Sequence, residues 1–136
     1  MKGDDVDQPI RPTLQLNLLL LEDNPKFRSA FRLFIEHTLG VRALFREVSA
    51  VNEMFAEAEQ STPDILLIDW DLKALNPGDL LPVLRQRYPG MKIYAFSGRH
   101  EARKEAMLLN VDAFISNWEP PERWLSTLDL NNSQIP

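Results

Sequence analysis

The 136-residue chain contains no cysteine. It therefore has neither a disulfide framework nor a thiolate metal site, and a reducing compartment is compatible with it. Long apolar runs are also missing. No stretch approaches the roughly 18 consecutive apolar residues of a membrane span, and the acidic start "MKGDDVDQPIRP" has no signal-peptide core. Basic residues are in deficit, 15 against 20 acidic, for a net charge of -5. That balance argues against a surface built to neutralise nucleic-acid phosphates. The absences together lead us to expect a soluble, cytoplasmic protein without direct nucleic-acid or membrane contact.

What is present is the pattern of one domain, long enough to bury about two-thirds of its unfolded surface. Polar tails are expected over 1–13 and 131–136, flanking a domain over 14–130. Within it, short apolar runs alternate with segments of helical period. The runs are "LQLNLLLL" (14–21), "RALFREV" (42–48), "DILLIDW" (64–70), "MKIYAFS" (91–97) and "DAFIS" (112–116). Three lack polar alternation over most of their length and read as strands covered on both faces.

The first helix is expected from Asn24 as cap and Pro25 in its first turn, with Phe27, Phe31, Phe34, Ile35 and Leu39 at helical spacing up to Gly40. Ser49 is the expected cap of "AVNEMFAEAEQ", with Val51, Met54, Phe55 and Ala58 inward. Asp79 is the expected cap of "LLPVLRQRY", which would leave Pro82 in a tolerant first turn. "HEARKEAMLLN" and "PERWLSTL" supply the fourth and fifth helices. Five βα units in a row imply an α/β fold with a parallel sheet joined by right-handed crossovers, and ligands at the carboxyl ends of its strands.

The first strand runs into Glu22-Asp23 and the third into Asp69, then Asp71. Alone, the first pair is better explained as a solvated strand end that helps cap a helix than as half of a site. If strands one and three are neighbours, as in the flavodoxin-like order 2-1-3-4-5, the acids converge. Two like charges about 4 Å apart repel by roughly 4 kcal/mol at an effective dielectric near 20. Such a cluster needs shifted pKa values or a hard cation with oxygen ligands, Mg2+ above all. The fourth strand adds the Ser97 hydroxyl and the backbone of Gly98, donors suited to a phosphoryl group.

Over roughly residues 15 to 129, "LLLLEDN", "PDILLIDWDL", "YAFSG" and "VDAFISNWEPPERWL" follow one another in the order of a response-regulator receiver domain, which the chain resembles. That resemblance implies a doubly wound (βα)5 fold that takes a phosphoryl group from a histidine kinase or phosphotransfer protein and catalyses at most its own phosphotransfer and dephosphorylation. It implies Asp69 as phosphoacceptor, with Glu22, Asp23, Asp69 and the main-chain carbonyl of Asp71 around Mg2+. It implies Ser97 and Gly98 at the phosphoryl oxygens and Phe114 as the aromatic switch residue. Output is expected through a downstream protein or an effector domain removed after Leu130, with a homodimer through the fourth helix, fifth strand and fifth helix as a further expectation.

The departures are specific. Where the family carries Lys-Pro at the end of the fifth strand, this chain has Asn117-Trp118. Asn117 donates without charge, and a charge-assisted bond is typically worth about 1.5 to 3 kcal/mol. Weaker stabilisation of the phosphorylated state follows unless Lys73 or Arg99 supplies the charge. The loop "WDLKALNPG" reaches its glycine one residue later than the family pattern and lacks its early proline. An alternative is therefore a degenerate receiver acting as a phosphorylation-independent interaction module. "LLIDWDLK" also resembles the first motif of haloacid-dehalogenase-type phosphatases, but that motif continues to Thr where this chain has Lys73, and it opens a longer chain. Trp124 reads as a packing residue, Trp118 as packing or partner contact, and His37 and His100 as surface residues.

Overall fold

The computed structural model describes residues 15–117 with Glu119 and Arg123. The tails, Trp118, Trp124 and the expected fifth helix over 121–128 lie outside the described residues. Five strands, β1 (Leu16–Leu21), β2 (Ala43–Val48), β3 (Ile65–Asp69), β4 (Lys92–Ser97) and β5 (Ala113–Ser116), form one parallel sheet in the order β2-β1-β3-β4-β5. Among the described residues, four α-helices alternate with them: α1 (Pro25–Thr38), α2 (Val51–Gln60), α3 (Pro77–Arg87) and α4 (Ala102–Leu108). The flavodoxin-like order expected from the sequence is the one observed.

The continuous apolar runs have their reason in two-sided burial. Leu18 to Leu21 are fully buried, yet alternate residues serve different cores. Leu19 and Leu21 join Leu66, Ile68, Ile93 and Ala95 under α2, α3 and α4. Leu18 and Leu20 join Ile65, Leu67, Tyr94 and Phe96 under α1. A strand covered on both faces has no position left for a polar residue until it ends. On the α1 side, Phe27 stacks on Phe96 with centroids 5.1 Å apart.

Asn24 caps α1 as expected, its side chain accepting from the backbone N–H of Lys26 and Phe27. Beyond the helix, Gly40 takes φ +55, where a side chain would be strained. Asn110 closes α4 in the same left-handed region, which Asn tolerates.

Two helix caps differ from the sequence reading. Ala50, not Ser49, is the N-cap of α2; Ser49 stands one residue before the cap, and its N–H and Oγ donate to the Glu53 carboxylate in the first turn. Asn76, not Asp79, precedes α3, because Pro77 already has the fixed φ of a first helical position. Pro82 therefore lies inside α3 rather than in its first turn. The fourth helix is shorter than "HEARKEAMLLN" suggested.

Candidate functional site

The carboxyl ends of β1, β3 and β4 meet where strand order reverses. β1 and β3 are hydrogen-bonded neighbours, and β3 pairs with β4 up to Asp69 opposite Phe96. Just beyond β1, the Glu22 N–H donates to the Val48 carbonyl (3.0 Å), and Arg28 Nη1 donates to the Glu22 carbonyl (2.9 Å). The backbone of the first acid is thus fixed by β2 and α1, while its carboxylate accepts from the Asn24 N–H (3.0 Å). Asp69 Oδ1 accepts from the Asp71 N–H (2.8 Å).

Carboxylate oxygens of Glu22, Asp23 and Asp69 lie within 4.8 Å of one another. Glu22 and Asp69 are buried and Asp23 is exposed. Burial is the main cause that pushes the Glu22 carboxyl up to about 8; the Asn24 N–H opposes it, and Asp69 and Asp23 add like-charge repulsion. Asp69 is also raised, first by burial and then by Asp71 and Asp23, against the Asp71 N–H and a hydrogen bond from Glu22. Two buried carboxyls in contact hold a proton between them unless a cation replaces it. Three convergent carboxylate oxygens, two of them raised in pKa by burial and repulsion, are the donor set a hard divalent ion such as Mg2+ fits.

Ser97, 1 % exposed, ends β4 beside this cluster. Its hydroxyl donates to the Asp71 carboxylate (2.8 and 3.0 Å to the two oxygens) and accepts from the Arg99 N–H (2.9 Å). Asp71 also receives the Gly98 N–H (3.3 Å) and Arg99 Nε (2.9 Å). Burial works against ionisation of Asp71, but the Arg99 guanidinium, Ser97 hydroxyl and Gly98 N–H outweigh it and hold the carboxyl below its usual range. Arg99 Nη2 continues to Glu105 on α4 (3.2 Å).

The structure thus brings Glu22, Asp23, Asp69, Ser97 and Gly98 to one edge. The Asp71 carboxylate is the participant that sequence reasoning missed. A signal was available: Asp71 and Arg99 are opposite charges, each two residues beyond the end of one of two adjacent strands. Of the two cations considered for the missing Lys, Arg99 stands at the hydroxyl, whereas Lys73 lines a cavity of about 730 Å3 with Asp23, Phe55 and Val83. Asn117 has an exposed side chain, and its N–H donates to the Ser97 carbonyl (3.0 Å), so it ends β5 next to the site. Phe114 is buried in the core on the α4 side, with the Arg103 guanidinium 4.8 Å from its ring centre.

A parallel sheet in this order, with acids and a hydroxyl gathered at its switch point, is a doubly wound α/β fold whose candidate site lies where such sheets bind ligands. The model of the response regulator receiver domain matches residues 18–128, and the chain belongs to that family. Among curated proteins it is similar to the transcriptional activator protein ExaE of Pseudomonas putida, 26% identical over 86 residues, 63% of this chain and 40% of that protein. The match thus spans well under half of that relative.

Among solved structures it is similar to a LuxR-family two-component response regulator from Aurantimonas sp. SI85-9A1 (TM-score 0.73, 19% identity, 84% of this chain and 82% of that one). It is also similar to RcsB from Salmonella enterica serovar Typhimurium, bound to promoter rprA in the presence of phosphomimetic BeF3- (TM-score 0.73, 15% identity, 85% and 66%). At these identities the likeness shows the fold. Among the described residues, no helix is long and apolar enough to cross a membrane.

Proposed function

We propose that this receiver domain accepts one phosphoryl group on Asp69, with Mg2+ held by Glu22, Asp23, Asp69 and the main-chain carbonyl of Asp71, and relays it through protein contacts. The observation that carries this reading is the convergence of three carboxylates within 4.8 Å at the sheet edge that also ends in Ser97. A carboxylate oxygen of Asp69 attacks the donor phosphorus in line. A P–O bond forms to Asp69, the bond to the leaving group breaks, and the leaving group departs with the electron pair. Mg2+, when bound, neutralises charge on the acids and on the phosphoryl oxygens. Ser97 and the Gly98 N–H hold those oxygens, and Arg99 supplies the charge that Asn117 lacks.

The donor is a histidine kinase or a phosphotransfer protein in the cytoplasm. The output is a downstream protein or an effector domain, or a homodimer through α4, β5 and the following helix, with Phe114 as the switch residue. Intact mass after incubation with acetyl phosphate and Mg2+ tests the reading. One added phosphoryl group is expected on the wild type and none on Asp69→Asn; an unshifted wild-type mass would sink it. That second outcome would favour a phosphorylation-independent interaction module, the reading supported by the neutral, exposed Asn117 at the end of β5.

A further inference from the structure

Resting on the phosphoacceptor reading of Asp69, we propose that the Asp71 carboxylate is an internal latch. It occupies Ser97 Oγ, the Gly98 N–H and the Arg99 guanidinium before any phosphoryl group arrives, so phosphorylation must exchange one anion for another. The stoichiometry of donors makes this a competition. Ser97 has one hydroxyl proton and Gly98 one N–H, and each is directed at Asp71. Neither can serve a phosphoryl oxygen while Asp71 keeps it. An exposed ion pair between Asp71 and Arg99 alone would be worth little. Here three donors of different kinds converge on one carboxylate, and one belongs to a buried serine.

The latch is held from both sides. The Asp71 N–H is fixed on Asp69 Oδ1, and the Leu72 N–H closes a turn on the Asp69 carbonyl (3.2 Å), so the carboxylate leaves from a pinned backbone. On the other strand the Arg99 N–H is fixed on Ser97 Oγ, and the Arg99 side chain bridges Asp71 to Glu105 of α4. An anion that displaces Asp71 therefore frees a second negative charge beside Arg99, and the Arg99–Glu105 bridge carries the change to α4. In the resting domain the Ser97 loop is already drawn in by an internal carboxylate.

Two measurements on the whole chain test the latch. The first is hydrogen exchange of the Gly98 and Arg99 amides without Mg2+ or donor. Asp71→Ala should speed exchange at both by about tenfold or more, since the Gly98 N–H loses its acceptor and Ser97 Oγ its anchor. Unchanged exchange overturns the latch. The second is beryllofluoride titration with Mg2+, followed by tryptophan fluorescence, since the buried Trp70 directly follows Asp69 in the chain. Asp71→Ala should bind about tenfold more tightly than the wild type, and equal or weaker binding overturns the competition. Asp71→Asn removes the charge but not the volume, and serves if the Ala variant does not fold. If neither wild type nor variant binds beryllofluoride, the phosphoacceptor reading fails, and the two amides decide the latch on their own.

Discussion

Glu22 is a carboxyl that follows directly on four fully buried leucines, and its pKa records the conflict. Between its ordinary 4.5 and its raised value of about 8, the folded domain holds a proton that the unfolded chain has released. Stability is therefore lost as pH rises through that window. Without divalent ions, the urea midpoint should fall from pH 5 to pH 8, by the equivalent of roughly 1–3 kcal/mol once relaxation of a coupled pair is allowed for. Glu22→Gln should flatten the slope, and Mg2+ should raise the midpoint most at the alkaline end. At this scale the sequence carried the identities of the acids and of Ser97, because each follows directly on an apolar run. It did not carry the direction of Asp71. Where the carboxylate of an acid two residues past a strand points depends on what the neighbouring strand's loop presents, here Ser97, Gly98 and Arg99.

Helices and strands were legible to different degrees for reasons of packing. The strands could be read because burial on both faces leaves no tolerance for polar residues. Helix starts were harder, since Ser49, Ala50, Asn76 and Asp79 all stand within a turn of a start, and local backbone geometry chooses among them. Where the cap was read correctly, it has a definite weight. Asn24→Ala removes the acceptor of two N–H groups at the start of α1 and should cost about 1 kcal/mol in urea denaturation. Because the Asn24 N–H that bonds Glu22 is backbone, the substitution should leave phosphoryl uptake at Asp69 in place. A loss of stability below about 0.3 kcal/mol would mean that water replaces the cap.

At the scale of the molecule, the site depends on β3 being the middle strand of the sheet. Leu67 is fully buried there, two residues before Asp69, in the core shared with α1. Leu67→Ala should destabilise the domain by about 2–5 kcal/mol, read as a lower denaturation midpoint, while the chemistry of any folded fraction persists. The parallel order was legible because five βα units in sequence admit few topologies. The packing of Arg103 over the Phe114 ring was not, because no periodicity encodes such a side-chain contact. The most direct test of the central claim locates the phosphoryl group. After exposure to acetyl phosphate with Mg2+, borohydride reduction converts an aspartyl phosphate to homoserine, which peptide mass spectrometry places in the chain. The expected result is homoserine at position 69 alone; conversion at another carboxylate, or none, would contradict the account.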